Sequence, residues 1–185
     1  MVVLQQIFAV FLKDLKSELR TRYALTAVFL FVLTTIAIVL FATRDEQLTK
    51  GFAAGILWII MFFSAMTGLA KSFVSEEERG TAFLLQLTTT STAVYFGKLV
   101  FNCILNILLN TAAVLLFFFF LDVTVAAPGL FTLAILLGSL GIACSVTVIS
   151  AIIAKANTKG ALLPVLSFPL LLPLLISGIE TTYLS

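Results

Sequence analysis

The sequence contains no histidine, so the commonest metal ligand, haem ligand and proton shuttle are all missing. Its two cysteines, Cys103 and Cys144, lie far apart in apolar stretches, where a small buried residue fits better than a disulfide or a metal ligand. Neither an HExxH nor a CxxCH motif occurs. In the one Gly-Lys pair, Gly97-Lys98, the lysine is followed by Leu99, and Thr92 stands where a P-loop needs its first glycine. The chain therefore carries no Walker motif for ATP. Charge is scarce as well. The 185 residues hold 11 Lys+Arg and 9 Asp+Glu, or 11% charged. A soluble domain has about a quarter of its residues charged. This excludes an ordinary cytosolic enzyme and a disordered tail. A net charge of +2 is too small and scattered to serve as a phosphate-binding surface, so no nucleic-acid partner is expected.

What is present is apolar: 61% of the residues are hydrophobic. The charges sit in short islands separated by runs of membrane-spanning length, since about 20 apolar helical residues cross a hydrocarbon core of roughly 30 Å. Five runs qualify: 23–43, 51–70, 99–121, 129–154 and 160–179. Backbone amides in lipid need internal partners, so each run reads as a helix, and the fold class is an all-α polytopic transmembrane bundle. Nine of the eleven basic residues fall on one side: Lys13, Lys16, Arg20, Arg22, Lys71, Arg79, Lys98, Lys155 and Lys159. Only Arg44 and Lys50 fall on the other. The bias places the N-terminus in the cytoplasm.

Residues 1–22 form a separate unit ahead of the membrane domain, 23–185. Leu4, Ile7, Phe8, Phe11, Leu12, Leu15 and Leu19 recur at helical spacing, opposite Gln5, Gln6, Lys13, Lys16, Ser17 and Arg20. With no cationic n-region and no cleavage site, this is an amphipathic helix lying on the bilayer rather than a signal peptide. It is either a simple anchor or an elbow against which partners rest. The one sizeable loop, 71–98, holds Ser75, Glu76, Glu77, Glu78, Arg79 and Gly80. Ser75 and Glu78 have capping-box spacing, the three glutamates suit a first helical turn, and Gly80 would end or bend that helix. Phe83, Leu84, Leu85 and Leu87 follow. The segment is either a solvated charge cluster or a docking surface for a soluble partner.

Inside the spans, Asn102, Asn106 and Asn110 follow Lys98 at intervals of four, on one helix face. Such a row is either glue between helices or the lining of a polar passage. Gly51 with Gly55, and Gly141 with Ser145, have spacings that permit close helix approach. Pro164, Pro169 and Pro173 predict a kinked or broken last span. Trp58 stands near mid-span, where packing in the bundle is expected. Asp122 and Glu180 are expected at the outer ends of their spans.

The run GILWIIMFFSAMTGLAKSFVSEEERGTAFLLQL, then GKLVFN, then GALLPVLSFPLLLPLLISGIE resembles the haem exporter B family, the cytochrome c maturation protein B permeases of ABC-2 type. The likeness extends from about Gly51 to Glu180. It implies six spans, so a sixth is expected beyond the five found here. The family's loop usually has prolines after its Leu-rich stretch, where this chain has Thr88–Ser91. The resemblance implies a non-catalytic permease subunit in a bacterial inner membrane, with a coupling region at Ser75–Gly80. It implies an ATP-binding cassette subunit, a haem-handling membrane protein and a haem chaperone as partners, and leaves room for a second copy of this chain. ATP would be bound by the partner, and haem would be cargo rather than a cofactor held here. Without histidine there is no imidazole ligation, although Met61, Met66 or a tyrosine could ligate it weakly. The alternatives are a non-transporting assembly subunit of that complex and an ABC-2 permease for another lipid-like substrate. No charge inside a span favours ion coupling.

Overall fold

A computed structural model of the chain describes residues 2–43, 48–69, 73, 76–77, 80–121, 123–154 and 159–185. Its helices are α1 (Val2–Thr21), α2 (Tyr23–Thr43), α3 (Lys50–Leu69), α4 (Ala82–Thr88), α5 (Ser91–Phe120), α6 (Pro128–Ile153) and α7 (Lys159–Tyr183). No strand occurs among the described residues. Five of the helices, α2, α3, α5, α6 and α7, are long and apolar enough to cross a membrane.

α3 is the hub and touches α2, α5, α6 and α7. Its core-facing residues include Leu57, Trp58, Ile60, Met61, Ala65, Met66 and Leu69, all buried. Trp58 packs its indole against Gly138 of α6 and Gly178 of α7, and its Nε1 donates to the Thr182 hydroxyl at 2.9 Å. A large aromatic thereby joins three helices, and its polar edge has a partner. Gly141 of α6 lies close against Leu174 of α7, whereas a side chain at Gly55 would meet nothing within the chain. The expected GxxxG approach at Gly51 and Gly55 therefore does not hold two of this chain's described helices together at Gly55.

Two boundaries differ by several residues from those read off the charges. α5 starts at Ser91, eight residues before Leu99, so the expected loop contains a short helix and the first two turns of a span. Lysine is a good helix former and gives the helix no reason to stop, and protein carboxylates face its charge. α7 continues past Ile179 to Tyr183 and runs unbroken through Pro164, Pro169 and Pro173. Each proline removes one amide donor without ending the helix. The Ser177 hydroxyl donates to the Pro173 carbonyl at 2.9 Å. Asp122 lies outside the described residues, and Glu180 is exposed near the end of α7.

α1 and α2 meet at Arg22, which adopts φ 50°, in the left-handed region. The turn is held from within: the Ala24 amide donates to Glu18 Oε1 at 2.8 Å. The Glu18 side chain thus caps the orphan first amides of α2 across the elbow.

Candidate functional site

α1 packs along the first turns of α5, and the contacts ascend together in both helices. The Thr90 hydroxyl donates to Gln6 Oε1 at 3.2 Å, Val10 lies against Gly97, and Phe11 meets Phe101 edge-on at 6.4 Å. A Cβ at position 97 would come within 2.8 Å of Val10 Cβ and 2.9 Å of the Ile7 carbonyl oxygen. Only glycine allows the two backbones this close. Leu4, Phe8 and Leu19 stay exposed, so the apolar stripe of α1 is divided between protein and surroundings.

This contact surrounds an ion cluster. Lys98 of α5 is 1% exposed. Its Nζ lies 3.1 Å from Asp14 Oδ2 of α1 and 3.5 Å from Glu76 Oε1 of the loop, and 5.3 Å from the centre of the Phe73 ring. Lys13 Nζ pairs with Asp14 Oδ1 at 3.2 Å and donates to Glu76 Oε1. The Thr81 hydroxyl donates to Glu76 Oε2 at 2.7 Å. Among the described residues, two lysines and two carboxylates meet here, and the carboxylates offset the cost of burying Lys98. Burial alone would raise the Glu76 pKa. Hydrogen bonds from Lys13 and Thr81, and the charges of Lys98 and Lys13, outweigh it and hold the carboxyl at about 2. For Lys13, burial works against the charged form, but the bonds and charges of Glu76 and Asp14 prevail and raise its pKa above 10.5.

Gly80 has φ +68°, a conformation costly for any residue with a Cβ. Its amide donates to the Glu77 carbonyl at 3.2 Å and the Thr81 amide to the Glu76 carbonyl at 3.0 Å. This is the Schellman pattern of a helix end, with glycine at its left-handed position. Glu77 is exposed. Of the expected coupling residues, Glu76, Glu77 and Gly80 are described, whereas Ser75, Glu78 and Arg79 lie outside the described residues. Beyond Gly80, α4 leaves Phe83, Leu84 and Leu87 uncovered, at 69%, 64% and 70% exposure. A cavity of about 350 Å³ opens between α1 and α4, lined by Lys13, Asp14, Ser17, Glu76, Thr81, Leu84, Leu85 and Thr88.

Lys98 is drawn into this cluster, and the asparagines behind it face α6. Asn102 Nδ2 donates to the Thr147 hydroxyl at 2.9 Å, Asn106 to the Ser139 carbonyl at 2.8 Å, and Asn110 to the Ser139 hydroxyl at 3.0 Å. All three are fully buried, and their Oδ1 atoms find no partner among the described residues. Met61 and Met66 are buried in the α3 core. Sequence reasoning missed Asp14, which lies 84 positions from Lys98. The available signal was a carboxylate directly beside Lys13, in a helix with just one other acid, Glu18.

The family model described as CcmB protein matches residues 5–184. No curated protein and no solved structure gives a significant match. Nearly the whole chain is covered, five helices have spanning length, and the resemblance noted in the sequence falls inside the matched range. The chain belongs to the CcmB family, haem exporter B or cytochrome c maturation protein B, and is a multi-pass membrane component of haem export in cytochrome c biogenesis.

Proposed function

We propose that this chain is the permease subunit of an ABC-type complex in a bacterial inner membrane, with its N-terminus in the cytoplasm. A separate ATP-binding cassette subunit docks on α4 and the adjoining cavity. Its hydrolysis cycle moves α5 to export haem or to release a haem-loaded chaperone, beside a haem-handling membrane partner. The single observation that carries this reading is the ion cluster. Through Glu76 it ties the loop beside α4 to Lys13 of α1 and to buried Lys98 of α5. A push on the exposed Phe83, Leu84 and Leu87 has a stiff polar path to a spanning helix. Haem is cargo of the complex, and ATP belongs to the partner.

The test is co-purification from the native membrane. The complex should retain an ATPase, and a Phe83→Ser/Leu84→Ser/Leu87→Ser variant should lose it while the membrane partners stay. Recovery of the wild-type complex without any ATPase would sink the reading. With an ATPase present, chaperone release should stop when that subunit cannot hydrolyse ATP. Unchanged release would instead favour a non-transporting assembly subunit.

A second reading concerns Asn102, Asn106 and Asn110 as the wall of a polar passage. It is supported by the three amide oxygens without partners among the described residues. Replacing all three by Leu should then give a complex that assembles but does not function. If assembly fails together with function, the row is glue alone.

A further inference from the structure

Between α2 and α5 lies a groove of about 360 Å³, whose lining includes Arg22, Thr26, Phe29, Val32, Ala112 and Leu116. Its polarity is confined to one end. Arg22 and Thr26 stand at the mouth beside the elbow, and the remaining lining is apolar. The guanidinium of Arg22 makes no ion pair with a described residue. Arg22 is exposed there, while the neighbouring Glu18 carboxylate is engaged by the Ala24 and Leu25 amides.

The dimensions narrow the occupant. Along α2 the groove runs from Arg22 to Val32. Ten residues of helix span about 15 Å, roughly the depth of one leaflet's hydrocarbon. The volume has room for on the order of a dozen methylenes, if each takes about the 30 Å³ of a water molecule. A helix with its side chains is about 10 Å across, so it would cover such a groove without entering it. Water gains nothing from apolar walls. One alkyl chain with an anionic head matches the length, the volume and the charge at the mouth.

We propose that the α2–α5 groove is a binding site for one acyl chain of an anionic glycerophospholipid, whose phosphate is held by Arg22. The proposal goes beyond the permease reading and does not depend on it.

The test uses the full chain purified in a neutral detergent. Phosphatidylglycerol and phosphatidylcholine of identical acyl chains are offered at equal concentration, and the retained lipid is read by native mass spectrometry. Wild type should retain phosphatidylglycerol in preference. Arg22→Gln should reduce that preference about fivefold, the worth of one basic residue near anionic lipid. Ala112→Phe fills the groove from an exposed position and should reduce retention at least about tenfold, since two displaced methylenes already carry that much. Both variants should unfold at the wild-type temperature once lipid is removed, which shows that they are folded. Equal retention of the two lipids by wild type overturns the proposal, as does undiminished retention in Ala112→Phe. Loss of a dimer in Ala112→Phe with lipid unchanged overturns it too, and assigns the groove to a second copy. Loss of bound haem with lipid unchanged assigns it to the cargo.

Discussion

A buried lysine is tolerable only while its carboxylates remain, and Lys98 has Asp14 and Glu76 within reach. Asp14→Asn should therefore destabilise the chain by about 1.5–3 kcal/mol, because it removes one of the carboxylates that face a buried charge. Adding Lys98→Met to that variant should recover most of the loss. A double-mutant cycle on thermal unfolding reads the coupling, and additive costs would contradict the pairing. Glu76 supplies a pH signature. Its folded pKa of about 2 lies below the ordinary 4.5, so its contribution is complete above pH 4.5 and is lost as pH falls towards 2. The difference in unfolding temperature between wild type and Glu76→Gln should thus be constant from pH 5 to 8 and shrink through that acid window. A difference that persists at pH 2 would contradict the ionised-pair account. The row of asparagines was legible in the sequence because a four-residue interval is a local property. The pairing of Lys98 with Asp14 was not, because nothing local brings residues 84 positions apart together.

At the scale of elements, charge-free runs located every spanning helix, since lipid leaves the backbone no other regular solution. The same criterion misplaced the start of α5. It treats a lysine as a membrane boundary, whereas α1 and the loop supply Lys98 with a polar socket. The close fit of α1 on α5 was likewise hidden in a single residue, Gly97, which the sequence offered only as half of a failed nucleotide motif. Gly97→Ala should push α1 away, with a cost of about 1–3 kcal/mol for the added methyl in a filled contact. Hydrogen exchange at the α1 amides should quicken while that of the α3 amides stays slow. Unchanged protection of α1 would mean that the contact can absorb a methyl.

For the molecule as a whole, α3 holds the centre and α7 the periphery, an arrangement that hydropathy cannot reveal because both are equally apolar. The difference lies in shape: Trp58 fills the space that Gly138 and Gly178 leave on α6 and α7. Trp58→Ala should cost about 3–5 kcal/mol and loosen α7 first. Trp58→Phe should cost less, because it keeps most of the ring and loses the bond to Thr182. Proteolysis in detergent should cut near the end of α7 in the alanine variant before it cuts elsewhere. Equal protection of all helices would contradict the central role of the indole.

The ion cluster also divides α5 unequally. Lys98 is the eighth of its 30 residues, leaving about 10 Å of helix on the loop side and about 33 Å on the other. A rod pinned at that point has a gear ratio near three. Were α5 to tilt about that point as a rigid body, a displacement of about 1 Å at Ser91 would become one of about 3 Å at Phe120, against the bonds of Asn102, Asn106 and Asn110 to α6.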